Sequence, residues 1–133
     1  MDFKLYEQFV DTVTSQTSKD TETLVTRLRE IEEKFGINGP RFLTAGLGLA
    51  DESGEIAGLV KKCVYHGKDI TDEVRHHLLL ELSDVLWYFT QMLITLGITL
   101  EDVVNANIRK LEARYPGGVF SAWHSENRQP GDL

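Results

Sequence analysis

The chain is short of several things, and each shortage excludes something. It has one cysteine, Cys63, so it can form no internal disulfide, and no CxxC or Cys/His set points to zinc. Cys63 sits in apolar helical sequence and reads as a small core residue. A lone thiol suits a reducing compartment, which makes the cytoplasm the expected location. No uninterrupted apolar run is long enough to span a membrane, and the start, MDFKLYEQFVD, has no signal-peptide core. There is no Walker A loop, and no Ser-His-Asp or Cys-His set suggests a covalent mechanism. Positive charge is scarce: Lys and Arg number 14 against 21 Asp and Glu, a net charge of −7. That surface repels phosphate backbones, which argues against long nucleic acids as partners. It leaves open a small phosphate ligand held through a metal ion. No repeat, low-complexity tract or Pro/Gly/Ser linker divides the 133 residues, so they read as one domain, 1–133, with an irregular tail over 119–133.

Strand alternation is also missing. Helical periodicity fills the space instead. Phe3, Tyr6, Phe9, Val10 and Val13 predict an amphipathic helix over residues 3 to 14. Leu24, Leu28, Ile31 and Phe35 predict a second over 21 to 35, stopped by Gly36. A third begins near Pro40, which suits a first helical turn, and runs to His66 before Gly67. It carries Gly46, Gly48, Gly54 and Gly58. Each costs roughly 1 kcal/mol relative to alanine, so they imply a close backbone approach or a kink. The fourth helix, 71 to 96, has a stripe of Val74, Leu78, Leu82, Val85, Phe89, Met92 and Leu96, widened by Leu79, Leu86 and Leu93. So broad a face predicts contact on several sides, a subunit interface among them. A fifth helix starts at Thr99, with Asp102 completing a capping box, and ends at Tyr115 before Pro116. The expected fold is an all-α bundle of about five helices whose central helices associate between subunits.

The most apolar stretch, LLLELSDVLWYF at residues 78 to 89, contains Glu81 and Asp84. At 100° per residue these two acids share one helix face. Glu52 and Glu55 repeat the same spacing on the third helix, with Asp51 beside them. The short HGKDIT connection predicts antiparallel packing, so the two pairs can face each other. Carboxylates about 6 Å apart at an effective dielectric near 20 repel by roughly 3 kcal/mol per pair. Protonation or a lysine would relieve this, but a hard divalent cation does it best. A single ExxE motif is commonplace on solvated helices. Two on consecutive apolar helices favour a metal site. A di-iron bundle would need two ExxH motifs, and only Glu73–His76 supplies one, well off the Glu81 face.

The segments GLADESGEIAGLVKK, ELSDVLWYF and NIRKLEARYP, in that order, resemble the MazG-like all-α nucleoside triphosphate pyrophosphohydrolases over residues 40 to 118. Asp51 stands where many members carry a further glutamate. The resemblance implies Mg²⁺-dependent cleavage (Mn²⁺ as the alternative ion) between the α and β phosphates of a nucleotide. It implies Glu52, Glu55, Glu81 and Asp84 as metal ligands. Glu52, Glu55 or Glu81, or water held by the metal, would then activate the attacking water. A homodimer or homotetramer is expected from the resemblance and from the wide fourth helix. Phosphoribosyl-ATP is an alternative substrate for the same chemistry. A non-catalytic helical interaction module is the alternative of a different class.

Several further residues are candidates for the nucleotide itself. Lys62 returns to the Glu55 face and can meet a phosphate, or is simply a solvated lysine. Asn107, Lys110 and Arg114 share one side of the fifth helix, where the resemblance places substrate contacts. Asn107 interrupts the apolar stripe, and a polar residue there needs a partner: the substrate, or a satisfied core hydrogen bond. Tyr88, one turn past Asp84, can contact sugar or base. Trp87 leans towards the core. His77, one turn before Glu81, either supports that carboxylate or is exposed.

Overall fold

The computed structural model describes residues 2–128. Among them are seven helices and no strand: α1 (Phe3–Val13), α2 (Gln16–Lys19), α3 (Thr21–Phe35), α4 (Gly39–Tyr65), α5 (Asp72–Leu96), α6 (Leu100–Arg114) and α7 (Ala122–Glu126). The five long ones fall where periodicity predicts them. The short α2 and α7 are additions. The second lies inside the tail read as irregular, and residues 129–133 fall outside the described part.

Local chemistry sets the helix ends. Asp2, Asp20 and Asn38 accept the backbone N–H groups of Lys4, Thr23 and Arg41 at the starts of α1, α3 and α4. Thr99 and Asp102 form the reciprocal box that starts α6. Gly36 ends α3 at φ 67°, a left-handed conformation that glycine adopts without strain.

The chain divides into two compact units, Met1–Thr95 and Leu96–Leu133. In the first, α3 packs on α2 and on α4. A Cβ built at Gly39 would lie 2.9 Å from Leu28 Cδ2, so the start of α4 presses closely on α3. Residues of α4 and α5 meet in reverse order: Glu55 with His77, Glu52 with Asp84, Gly48 with Tyr88, and Leu47 with Met92. The pair is therefore antiparallel, as the short connection predicts. Ala45 and Leu59 of α4 and Val74 of α5 are its buried apolar residues. Much of the remaining apolar surface is uncovered. On α1, Phe3, Tyr6, Phe9 and Val13 are all more than half exposed. Among the described residues, no helix is long and apolar enough to cross a membrane.

Candidate functional site

The carboxylates of α4 and α5 meet midway along the antiparallel pair. Oxygens of Glu52, Glu81 and Asp84 all lie within 4.8 Å of one another. A second set, Glu55, His77 and Glu81, is equally tight. Glu81 belongs to both. The four acids expected to converge thus do so as two overlapping groups hinged on one residue, with a histidine added to the second.

Glu81 is the buried member, only 7% exposed, while Glu52 is half-buried and Glu55 and Asp84 are exposed. A buried carboxylate needs a partner. His77, one helical turn earlier, provides it: Nε2 lies 2.7 Å from Glu81 Oε1, and the ring nitrogen donates to the carboxylate. His77 itself stays half-exposed. The two readings of His77 are therefore both true at once. It supports Glu81 and it faces solvent.

Crowding of like charge shows in Glu52. Partial burial, then the charges of Asp84, Glu55, Glu81 and Asp51, hold its carboxyl above the ordinary carboxylate range. No lysine or arginine neutralises the cluster through an ion pair among the described residues. The donor set fits a divalent cation. Carboxylate oxygens from two rigid helices are the ligands that Mg²⁺ and Mn²⁺ take, and one imidazole nitrogen is compatible with Mn²⁺.

One turn beyond this cluster a cleft of about 620 Å³ opens between the helices, lined by Thr44, Leu47, Gly48, Ala50, Asp51 and Tyr88. The cleft is of ligand size. Tyr88 is half-buried, with its ring edge-on to Trp87 at a centroid distance of 4.7 Å. Trp87 does not lean into a core: it is 52% exposed. The sequence signal for this cleft was weak. Gly48 is one of five glycines in α4, and spacing alone does not single it out.

The remaining candidates belong to neither carboxylate group. Lys62 is exposed in the last turn of α4. Asn107, Lys110 and Arg114 belong to α6, in the second unit. Asn107 is exposed rather than buried, so water satisfies it and no buried partner is required. Lys110 and Arg114 are half-buried.

Known proteins add three findings. No solved structure matches the chain. The Gene 37 protein of Mycobacterium phage L5 is 42% identical over 86 residues, covering 63% of this chain and 73% of that protein. The family model described as the MazG nucleotide pyrophosphohydrolase domain matches residues 41–119, a span holding both carboxylate pairs, the cleft and the candidate residues of α6. With that match over more than half its length, the chain belongs to the MazG nucleotide pyrophosphohydrolase domain family.

Proposed function

We propose that the protein hydrolyses a nucleoside triphosphate, a deoxynucleotide or a modified one, between its α and β phosphates. The products are a nucleoside monophosphate and pyrophosphate. The observation that carries this reading is the meeting of Glu52, Glu81 and Asp84 within 4.8 Å around a buried Glu81, in a chain of this family.

Glu52, Glu55, Glu81 and Asp84 hold Mg²⁺, or Mn²⁺ in its place. A divalent ion bound there offsets the triphosphate charge and polarises the bond to be cleaved. The chain's own groups do the rest. His77 fixes the orientation of the Glu81 carboxylate, as partners of ligating acids commonly do. Glu52, Glu55 or Glu81 accepts the proton of the attacking water. Two packed helices hold these groups in a fixed relation, and in-line displacement depends chiefly on such positioning. Tyr88 lies beside the nucleoside, Lys62 meets a phosphate, and Asn107, Lys110 and Arg114 contribute further substrate contacts.

The working form is a homodimer or homotetramer. Leu79, Leu82 and Leu86 of α5 are each more than half exposed. They suit burial against the same stripe of a second copy, as in a twofold interface.

A hydrolysis panel of natural and modified (d)NTPs with Mg²⁺ tests the reading. Monophosphate plus pyrophosphate is the expected product pair. Diphosphate plus phosphate would reassign the cleaved bond. Absence of turnover on every nucleotide would favour a non-catalytic helical module.

A further inference from the structure

Five glycines lie in α4; Gly39 at its start presses on Leu28, and three of the other four have no steric reason to be there. A Cβ added at Gly46, Gly54 or Gly58 would meet nothing within 4 Å. Gly48 differs. A Cβ there would overlap Cδ1, Cε1 and Cζ of the Tyr88 ring. Gly48 is buried, and the ring occupies the space where any side chain would begin.

The location matters. Gly48 lies four residues before Glu52, and Tyr88 four after Asp84. Both are one turn, roughly 6 Å, from the carboxylate cluster. In the other direction along the pair the buried residues are apolar, Leu59 and Val74. A nucleotide with its phosphates at the cluster has open space for its nucleoside on the Tyr88 side, in the cleft lined by Thr44, Leu47, Ala50 and Asp51. An aromatic ring in such a cleft offers a stacking surface that every base can use.

We infer that Gly48 is a positioning residue for the nucleoside end of the substrate: lacking a side chain, it lets the Tyr88 ring seat against α4 as a wall of the cleft beside the carboxylates. This role presupposes that the cluster binds a nucleotide. The methyl of Gly48→Ala would push the ring away from α4. Ground-state binding of the nucleoside then suffers more than the chemical step.

The test is calorimetric titration with the non-cleavable α,β-methylene analogues of dATP, dCTP, dGTP and dTTP, in Mg²⁺. The proteins are the wild type, Gly48→Ala, Tyr88→Ala and the double variant. Gly48→Ala should weaken the tightest analogue about tenfold. It should raise KM for the corresponding substrate more than it lowers kcat. It should leave the thermal shift produced by Mg²⁺ alone intact. In the Tyr88→Ala background it should cost less than about twofold more, because the two residues act through one contact. Affinity within about twofold of wild type in Gly48→Ala, or an undiminished tenfold loss in the Tyr88→Ala background, overturns the role. Should Gly48→Ala fail to fold, Tyr88→Leu must show the tenfold loss, and unchanged affinity there overturns it equally. No Mg²⁺ shift in the wild type would instead sink the metal reading, and no analogue binding to the wild type would sink both.

Discussion

The two sides of α5 invert the usual order of a helix. On one side Glu81 is 7% exposed, bonded to His77 and crowded by the acids of α4. On the other, Leu79 and Leu86 are 60% and 59% exposed. At 100° per residue, Leu79 lies about 160° from Glu81 around the axis. The carboxylate is inside and the leucines are outside. An ordinary core would not arrange them so, since burying a charge costs free energy and burying leucine recovers it. The inner face suits a ligand that neutralises acids. The outer face offers an apolar surface, the one proposed above for a second copy.

The largest effects should separate those faces. Glu81→Gln removes the residue shared by both carboxylate groups. Pyrophosphate release should fall roughly a thousandfold, the equivalent of several kcal/mol of lost charge stabilisation. Sedimentation of the same variant should be unchanged. Leu86→Glu should do the reverse at the outer face. An unpaired charge on each side of a twofold contact should weaken self-association more than about a hundredfold. Mg²⁺ should still raise the melting temperature of that variant, because a ligand of the native state stabilises it. Assembly lost in Glu81→Gln, or retained in Leu86→Glu, would break the division of labour between the faces.

A smaller effect sharpens what the inner face stores. Glu52 has its carboxyl raised by partial burial and then by Asp84, Glu55, Glu81 and Asp51. A group whose pKa is higher folded than unfolded contributes stability that is fully present below the unfolded value. That contribution is lost as pH rises through the folded value. Metal-free protein should therefore lose stability between about pH 4 and neutrality on account of this group. Glu52→Gln should melt higher than wild type at pH 7 without metal, and the difference should close below about pH 4. With Mg²⁺ present the order should reverse. A variant that melts lower at pH 7 without metal would show that the acids are not in conflict.

Much of this was readable before any coordinates. The long helices were legible because their signals are local: apolar spacing, Pro40 in a first turn, the Thr99–Asp102 box, Gly36 as a stop. The carboxylate pairs were legible because a three-residue spacing fixes a shared face whatever surrounds it. What covers a face is not local. The stripe on α5 was plain, but only packing shows that Val74 is buried while Leu82 is exposed. The same holds for Asn107, whose interruption of an apolar stripe suggested a buried partner until α6 proved to leave it in water. Helices as short as α2 and α7 span too few residues to establish a period. Gly48 was hidden among three glycines that touch nothing, since a close approach belongs to two helices and not to one.

The smallest effect expected here concerns the start of α6 and carries the opposite sign. Asp102 accepts hydrogen bonds from the Thr99 hydroxyl at 2.6 Å and from its backbone N–H at 2.8 Å. The hydroxyl bond first, and then the backbone bond, hold its carboxyl below the ordinary value. A depressed pKa contributes stability present above the unfolded value and lost as pH falls through the folded one. Acid thus weakens the start of α6 while it relieves the cluster around Glu52. Thr99→Ala removes both the hydroxyl donor and the cap, for about 1 kcal/mol. Melts of Thr99→Ala and wild type should differ most near pH 7 and draw closer in acid, a gap remaining because the cap itself does not titrate. Glu52→Gln approaches wild type in acid too, but from above rather than below. If both variants approach the wild type from the same side, the raised carboxyl of Glu52 is not a cost of the inner face, and the case for a neutralising ligand between α4 and α5 loses its electrostatic support.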